Sequence, residues 1–550
     1  MLSNNKMISI LVGAILVYIV GFGIDIMDID ASQYAEMSRE MQATNKYLQV
    51  FELGKDYLDK PPFLFWVSAI SIKLLGANNV AYRLPSCLFG LFTLWSIFKF
   101  ALLFYKKEIA QLAVIVLATS QAFFLTMHDV RTDTILMSWV IFSCWQLAAW
   151  FTTKKVWQLI LGCAGIGFGM LTKGPIALIV PILALGTHLI LSRQIKLVFQ
   201  WQHIIGLFII ALILLPMSIG LYQQFDMQPN KLVNGQTGVS GLRFFYWTQS
   251  FGRITGESVW NNQANIFFLL QNLLWAFLPW VLIFFTAFFL EVKKIVLNKG
   301  KLQIHEEAIC VGGFLLSYLA LGSSKYQLPH YIFVVLPFAA IITAKLLYNM
   351  LYLKQHPTLL KIFEKSHLII FTILLLALGY LLLYSFNTSI LIKILFVVGM
   401  FLFIYLFILK SGSYNLLQLC IFTFIGVNFF LNSSLYPSLL TYQLGSNFGN
   451  YISSHNLPKA NIYIYQNHIW HSLHFYTNTV IPHKDNLALY KKGDYAILPK
   501  EKIADFGIEG INYELIYTKE TFAVTRLNIK FINPITRQST TLPYCIIKII

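Results

Sequence analysis

The stretch HIIGLFIIALILLPMSIGLY, residues 203–222, decides the class of this protein. It contains no Asp, Glu, Lys or Arg from end to end. About 20 apolar residues is the length at which an α-helix crosses the hydrocarbon core of a bilayer. Stretches of the same kind occupy 7–24, 81–105, 109–127, 134–152, 156–172, 175–192, 266–291, 307–322, 330–352, 368–386, 390–409 and 415–432. The pattern therefore predicts a polytopic α-helical membrane protein with about 13 transmembrane helices. A tight Lys-Gly-Pro break is all that separates 156–172 from 175–192.

Composition agrees. Hydrophobic residues make up 57% of the 550-residue chain and charged residues 12%, against roughly 25% charged in a soluble domain. A soluble core of this length could not hide so much apolar surface. The formal charge of +17 does not point to nucleic acid, because Lys and Arg gather on the cytoplasmic loops of membrane proteins. Five of the cysteines lie in apolar stretches and Cys545 is alone in the polar tail, with neither a disulfide framework nor a zinc spacing. Lys6 precedes an apolar run with no small-residue cleavage site, so 7–24 reads as a retained first span.

The loops set the expected orientation. Lys6, Lys106 with Lys107, Lys154 with Lys155, Arg193 with Lys196, Lys293 with Lys294, Lys354 with Lys361, and Lys410 fall on one side if the N-terminus is cytoplasmic. An odd number of spans then leaves the tail outside. The loop 25–80, the turn 129–133, the turn at Lys173, the loop 223–265 and the segment 323–329 also lie outside. Within 25–80, QYAEMSREMQAT (33–44) and PFLFWVSAISIKLLG (62–76) read as helices lying along the membrane surface. From about 437 the polar content rises, and short β-rich runs appear at 461–465, 495–498 and 513–517. The expected organisation is a membrane domain over 1–436 and an outer α/β domain over 437–550.

The outer loops carry the chemistry. Asp28 and Asp30 follow the first span, and a carboxylate there can serve as a general base toward a hydroxyl or bind a divalent cation; the plain alternative is a solvated helix end. Asp59-Lys60-Pro61-Pro62 holds a lysine where stiff prolines fix its place, suited to gripping a phosphate, or it is a snorkelling lysine at a helix start. His128-Asp129-Val130-Arg131-Thr132-Asp133 sets Asp133 near the membrane plane, where an acid is costly unless functional or paired; Arg131 is the expected partner in the paired case. Lys173, Arg253 and Lys325 are outer-side cations against the positive-inside trend, and an interfacial lipid phosphate would account for them. His468, His471 and His474 share helical spacing but lack further ligands, so they read as a helix face of the tail rather than a metal site.

Taken in order, Asp30-Ala-Ser-Gln-Tyr34-Ala-Glu-Met-Ser-Arg39-Glu40-Met41, Lys60-Pro-Pro, Ala-Tyr-Arg83-Leu-Pro-Ser, Arg131-Thr-Asp133, Leu-Thr-Lys173-Gly-Pro and Lys325-Tyr326-Gln-Leu-Pro resemble the ArnT-like glycosyltransferases. These sit with the protein O-mannosyltransferases in the GT-C superfamily. The resemblance covers roughly 7–350; beyond that it is one of layout. It implies a GT-C fold with thirteen spans and a periplasmic C-terminal domain, in a bacterial inner membrane. It also implies transfer of a sugar from a polyprenyl (undecaprenyl) phosphate to a lipid or protein hydroxyl, with lipid A, a protein side chain and another glycan all open as acceptors. By that resemblance Asp30 matches the catalytic aspartate of the first loop and Asp133 the second outer-loop acid. Lys60 and Arg253 match positions gripping the lipid phosphate, with Lys173, Lys325 and Tyr326 along the same cavity, and Tyr34, Asp59, Arg83 and Arg131 completing its lining. Asp28 is the third catalytic candidate.

The chain departs from its relatives in three places. Ala31 stands where many have Glu after the Asp, Asp59 stands where some have Glu, and 223–265 holds no His where metal-binding relatives have one. A divalent metal thus stays open, with Asp59 and Asp28 the candidate ligands and no other cofactor expected. The rival class is a flippase or transporter of lipid-linked sugars, which would show paired repeats and mid-bilayer ionisable groups; here those groups collect at one interface.

Overall fold

The computed structural model describes residues 4–233, 235–257, 260, 262–302, 306–409, 416–466 and 470–550, without the side chains of Arg253 and Ile254. Lys410 and His468, singled out above, lie outside the described residues. Helix occupies each of the thirteen positions that the hydropathy pattern marks. Among the described residues, nine helices are long and apolar enough to cross a membrane. The first ten helices in chain order are α1 (Asn4–Val20), α2 (Asp30–Thr44), α3 (Phe63–Leu75), α4 (Asn79–Ala101), α5 (Lys107–Ala118), α6 (Gln121–Thr126), α7 (Thr132–Thr153), α8 (Val156–Lys173), α9 (Ile176–Leu191) and α10 (His203–Leu221).

The expected spans that are not single long helices differ for a visible reason. The stretch 109–127 breaks into α5 and α6 at Thr119 and Ser120, and 266–291 breaks between Phe267–Ala276 and Val281–Leu297. Backbone groups freed inside a bilayer must find partners within the protein. The two breaks supply each other: Gln121 N–H donates to Leu278 O at 2.9 Å and Trp280 Nε1 donates to Thr119 Oγ1 at 3.1 Å. The ring of His367 bonds Pro279 O at 2.9 Å.

Burial sorts the helices. The stretch 203–226, which contains α10, is mostly exposed and presents Ile204, Leu207 and Phe208 outward, as a lipid-facing helix does; most residues of α7 are buried. Helix α8 lies antiparallel along α7 and presses against it through glycines. A Cβ on Gly165 would sit 2.4 Å from Ser143 Oγ, and one on Gly162 would sit 2.7 Å from Leu147 Cγ. Small residues permit such close approach where no hydrophobic driving force separates helix from lipid. The antiparallel run brings the last turn of α8 to the first turn of α7.

The loop between α1 and α4 holds both expected helices, α2 and α3. It also holds a hairpin that the sequence reading does not foresee, β1 (Phe51–Glu52) and β2 (Lys55–Asp56), turning at Leu53 and Gly54 with positive φ. Gln224, just beyond α10, pins this hairpin: its side chain donates to Val50 O at 2.8 Å and to Asp56 at 2.9 Å.

Toward the C-terminus, β3 (Ile462–Ile464), β4 (Tyr495–Pro499), β5 (Tyr513–Thr521) and β6 (Leu542–Ile549) form one sheet in the order β3-β4-β6-β5, with β3 parallel to β4 and the other pairs antiparallel. The first three match the β-rich runs read above. The fourth, central strand was not marked, although LPYCIIKI alternates less than it is β-branched. It is buried on both faces: Tyr544 and Ile546 pack with Phe448, Ile462 and Leu473, while Cys545 and Ile547 pack with Leu498 and Phe506.

Candidate active site

Charged side chains from four separate loops and helix ends meet beside a cavity of about 840 Å³, part of it open to solvent. Its lining is largely apolar, including Leu136, Ile176, Leu321 and Val334, and it also carries Lys60, Asp133, Lys173 and Gln249.

Asp30 opens α2, with 34% of its side chain exposed, and Arg131 Nη1 donates to its Oδ2 at 2.5 Å. Arg131 also donates from Nε to Asp129 Oδ2 at 2.8 Å. Burial works against its charge, but Asp129 and Asp30 outweigh that and hold the guanidinium above its ordinary value. Arg131 thus does not pair with Asp133 as expected. It is the extended N-cap residue before α7 (φ −137°, ψ 154°), so its side chain leaves in a different direction from that of Asp133, in the helix's first turn. Asp133, 1% exposed, takes Lys173 instead, at 2.5 Å. The Nζ of Lys173 also stands 4.1 Å from the ring centre of Tyr331, a cation–π contact.

His330 lies between the two ion pairs, with Nδ1 3.4 Å from Arg131 Nη1 and Nε2 3.7 Å from Asp133 Oδ2. No motif above includes it. Its signal was an ionisable residue in the first turn of an apolar span, directly after Leu328-Pro329. Tyr331 was hidden in the same way, and it, not the expected Tyr326, lines the cavity. Tyr326 instead sits 6.2 Å from the ring of Trp260. Lys325 is exposed and lies over Gly256, where an added Cβ would be 2.9 Å from its Nζ.

Lys60 pairs with Asp59, which also accepts from Gln249 Nε2 at 2.6 Å through both its backbone oxygen and Oδ1. Gln249 is the other residue not singled out, a lone amide in the aromatic run FFYWTQSF at 244–251. The side chain of Arg253 lies outside the described residues; its backbone belongs to the helix Phe251–Thr255, which begins with the cavity-lining Phe251. Tyr34 is buried, edge-on to Phe65 at 5.8 Å. Its hydroxyl is pushed well up by burial and then by the nearby carboxylates of Asp30 and Asp59, with Arg131 opposing. Those three groups, and Asp133, therefore lie near one side chain.

Arg83, expected in the cavity lining, and Asp28, expected as a catalytic residue, do other work. Arg83, 1% exposed, spends its guanidinium on backbone carbonyls, from Nε to His128 O at 2.8 Å, from Nη1 to Phe22 O at 3.0 Å and from Nη2 to Asp25 O at 3.1 Å. It ties the start of α4 to the chain leaving α1 and to the Asp129–Asp133 turn. Asp28 is bound by Ser32 Oγ at 2.5 Å and Ser472 Oγ at 3.1 Å. Burial raises its carboxyl above the ordinary value, with those hydroxyls opposing. Among the described residues, no group of three or more His, Cys, Asp or Glu is arranged to hold a metal ion. That holds for Asp28 and Asp59, and His471 and His474 are engaged elsewhere, with Glu52 at 2.7 Å and with Ile481 N–H at 3.1 Å.

Residues 59–219 match the family model of dolichyl-phosphate-mannose-protein mannosyltransferase. An undecaprenyl phosphate-alpha-4-amino-4-deoxy-L-arabinose arabinosyl transferase from Wigglesworthia glossinidia brevipalpis is 31% identical over 34% of this chain, and one from Erwinia tasmaniensis 28% identical over 46%. The aligned part spans 36% and 44% of those relatives' own lengths. In structure the chain is similar to ArnT from Cupriavidus metallidurans bound to undecaprenyl phosphate, with a TM-score of 0.73 and 17% identity over 99% of this chain and 98% of that one. This multi-pass membrane protein thus shares the fold of ArnT from Cupriavidus metallidurans along nearly its whole length, and over part of its sequence it is similar to the arabinosyl transferases and to the mannosyltransferase family model.

Proposed function

We propose that the protein is an integral-membrane glycosyltransferase that moves a sugar from a polyprenyl phosphate, undecaprenyl phosphate in the relatives, to a hydroxyl on a lipid or protein acceptor. The observation that carries this reading is the cavity itself: a largely apolar lining suited to an isoprenoid, with Lys60, Lys173 and Asp133 in it, and the partly exposed carboxylate of Asp30 linked to Asp133 through Arg131 and His330. Residues 1–436 form the catalytic membrane part and 437–550 an outer domain. The Lys-rich loops orient the chain with its N-terminus in the cytoplasm of a bacterial inner membrane, which leaves the site on the periplasmic face.

The acceptor hydroxyl attacks the anomeric carbon while Asp30 takes its proton. One carbon–oxygen bond forms to the acceptor; the bond from the anomeric carbon to the phosphate oxygen breaks, and the electron pair leaves with the polyprenyl phosphate. Lys60, with Arg253 and Lys173, stabilises the charge that gathers on that phosphate. Asp59 and Asp133 hold the two lysines in place by their ion pairs, and Arg131 orients the Asp30 carboxylate.

The test is reconstitution of the purified protein in liposomes with a polyprenyl-phosphate sugar and a lipid hydroxyl acceptor. Release of free polyprenyl phosphate together with glycosylated acceptor supports the transferase. Movement of the intact lipid-linked sugar across the bilayer, with no bond cleaved, would replace it with a flippase.

A further inference from the structure

Asp30 is the first residue of α2, so its position depends on what fixes the chain just before it. Three side chains from the C-terminal segment grip that stretch. Gln443, 2% exposed, holds it at two points: its Oε1 accepts from Asp28 N–H at 2.9 Å and its Nε2 donates to Ile26 O at 2.9 Å. Tyr476 Oη accepts from Ile26 N–H at 2.8 Å and donates to Asn79 Oδ1 at 2.6 Å, joining the same stretch to the first residue of α4. Ser472, fully buried, donates to Asp28 Oδ2, while Ser32 in the first turn of α2 donates to Oδ1. The Asp28 carboxylate thus bridges the C-terminal helix His471–Thr477 to the helix that bears Asp30. The grip is closely built: a Cβ on Gly445, beside Gln443, would lie 2.1 Å from Ser472 Oγ.

Backbone amides, a carbonyl and a carboxylate are all satisfied by side chains more than 400 residues away in sequence. A contact that only covered apolar surface would not need this polar matching, since each buried polar group without a partner costs stability. We propose that Ser472, Gln443 and Tyr476 are positioning residues for Asp30, so that the C-terminal segment completes the active site although none of the three touches the reacting atoms. This inference rests on the transferase reading above and assigns that segment a part in turnover rather than in donor binding. Lys60 and Lys173, which face the donor phosphate, lie on elements that these three side chains do not hold.

The experiment uses the full-length protein in lipid nanodiscs, with the Gln443→Ala variant and the double variant Ser472→Ala/Tyr476→Phe, which keeps both side-chain shapes. Hydrogen–deuterium exchange is followed on peptides covering 25–33 and 128–133, and initial rates are measured against polyprenyl-phosphate sugar concentration. The expected result is faster exchange at 25–33 with 128–133 unchanged, and a kcat lower by roughly ten- to a hundredfold, the scale of a misplacement near 1 Å. The donor KM should stay within about twofold of wild type. Faster exchange at 25–33 with wild-type kcat overturns the proposal, as does unchanged exchange, and so does a loss spread equally over kcat and donor KM, which would mean general loosening. If the wild-type protein transfers no sugar, the transferase reading falls and Asp30's role falls with it, while the exchange data still report whether the grip exists.

Discussion

Lys173 Nζ and Asp133 Oδ1 are 2.5 Å apart, at the last turn of α8 and the first turn of α7, with only 1% of the Asp133 side chain exposed. The pair joins the two helices at the cavity wall, and each partner depends on the other. Removing one charge from a buried pair strands its partner, which costs about 3–5 kcal/mol. Lys173→Met should therefore lower the thermal unfolding midpoint in detergent sharply. Lys173→Met/Asp133→Leu should recover most of that loss while leaving transfer impaired. A single variant as stable as wild type would show that the pair is not buried in the folded protein.

Asp30→Asn keeps the shape and the acceptor oxygen toward Arg131 but removes the base. Turnover should fall by roughly two to four powers of ten, with folding unchanged. The measurement is the initial rate of polyprenyl phosphate release, and a rate near wild type would remove Asp30 from the proton transfer.

Lys60→Ala should act on the donor. With the cation gone, the donor KM should rise by about tenfold or more, the scale of a charge-assisted hydrogen bond. Titration of the variant with polyprenyl phosphate alone, followed by intrinsic tryptophan fluorescence, checks this without turnover. An unchanged dissociation constant would count against the phosphate contact.

The Glu52–His471 pair predicts a pH dependence. Burial alone would raise the Glu52 carboxyl, but the bonds from His471 and Gln33 outweigh burial and hold it below its ordinary 4.5. A depressed carboxylate stabilises the fold above its unfolded value and loses that contribution as pH falls through the folded one. Glu52→Gln should thus lower the unfolding midpoint relative to wild type at pH 6, and the gap should narrow below 4.5. A gap that is constant from pH 6 to about pH 3 would show that the carboxylate contributes nothing through its charge.

Much of the site was legible because its residues interrupt apolar patterns. Asp133, Lys60 and Lys173 stand out where a bilayer tolerates few charges, and all three line one cavity. Their partners were less legible. Arg131 is two residues from Asp133 and yet reaches Asp30, because an extended N-cap and a helical first turn aim neighbouring side chains apart. His330 and Tyr331 look like the ordinary beginning of a span, and only the approach of Arg131, Asp133 and Lys173 gives them a place in the site. Arg83 and Asp28 carry the right chemistry for a cavity but are taken up by backbone carbonyls and by Ser472.

The sequence by itself determined the membrane class, the positions of all thirteen helical stretches and the identity of the main acids and cations. The bilayer imposes a length and a polarity that are written locally, residue by residue. Tertiary structure alone decided which acid meets which cation, where two helices break, and that a C-terminal helix fixes the start of α2. Those outcomes depend on side-chain direction at helix ends and on hydrogen bonds that span hundreds of residues. No local pattern encodes either one.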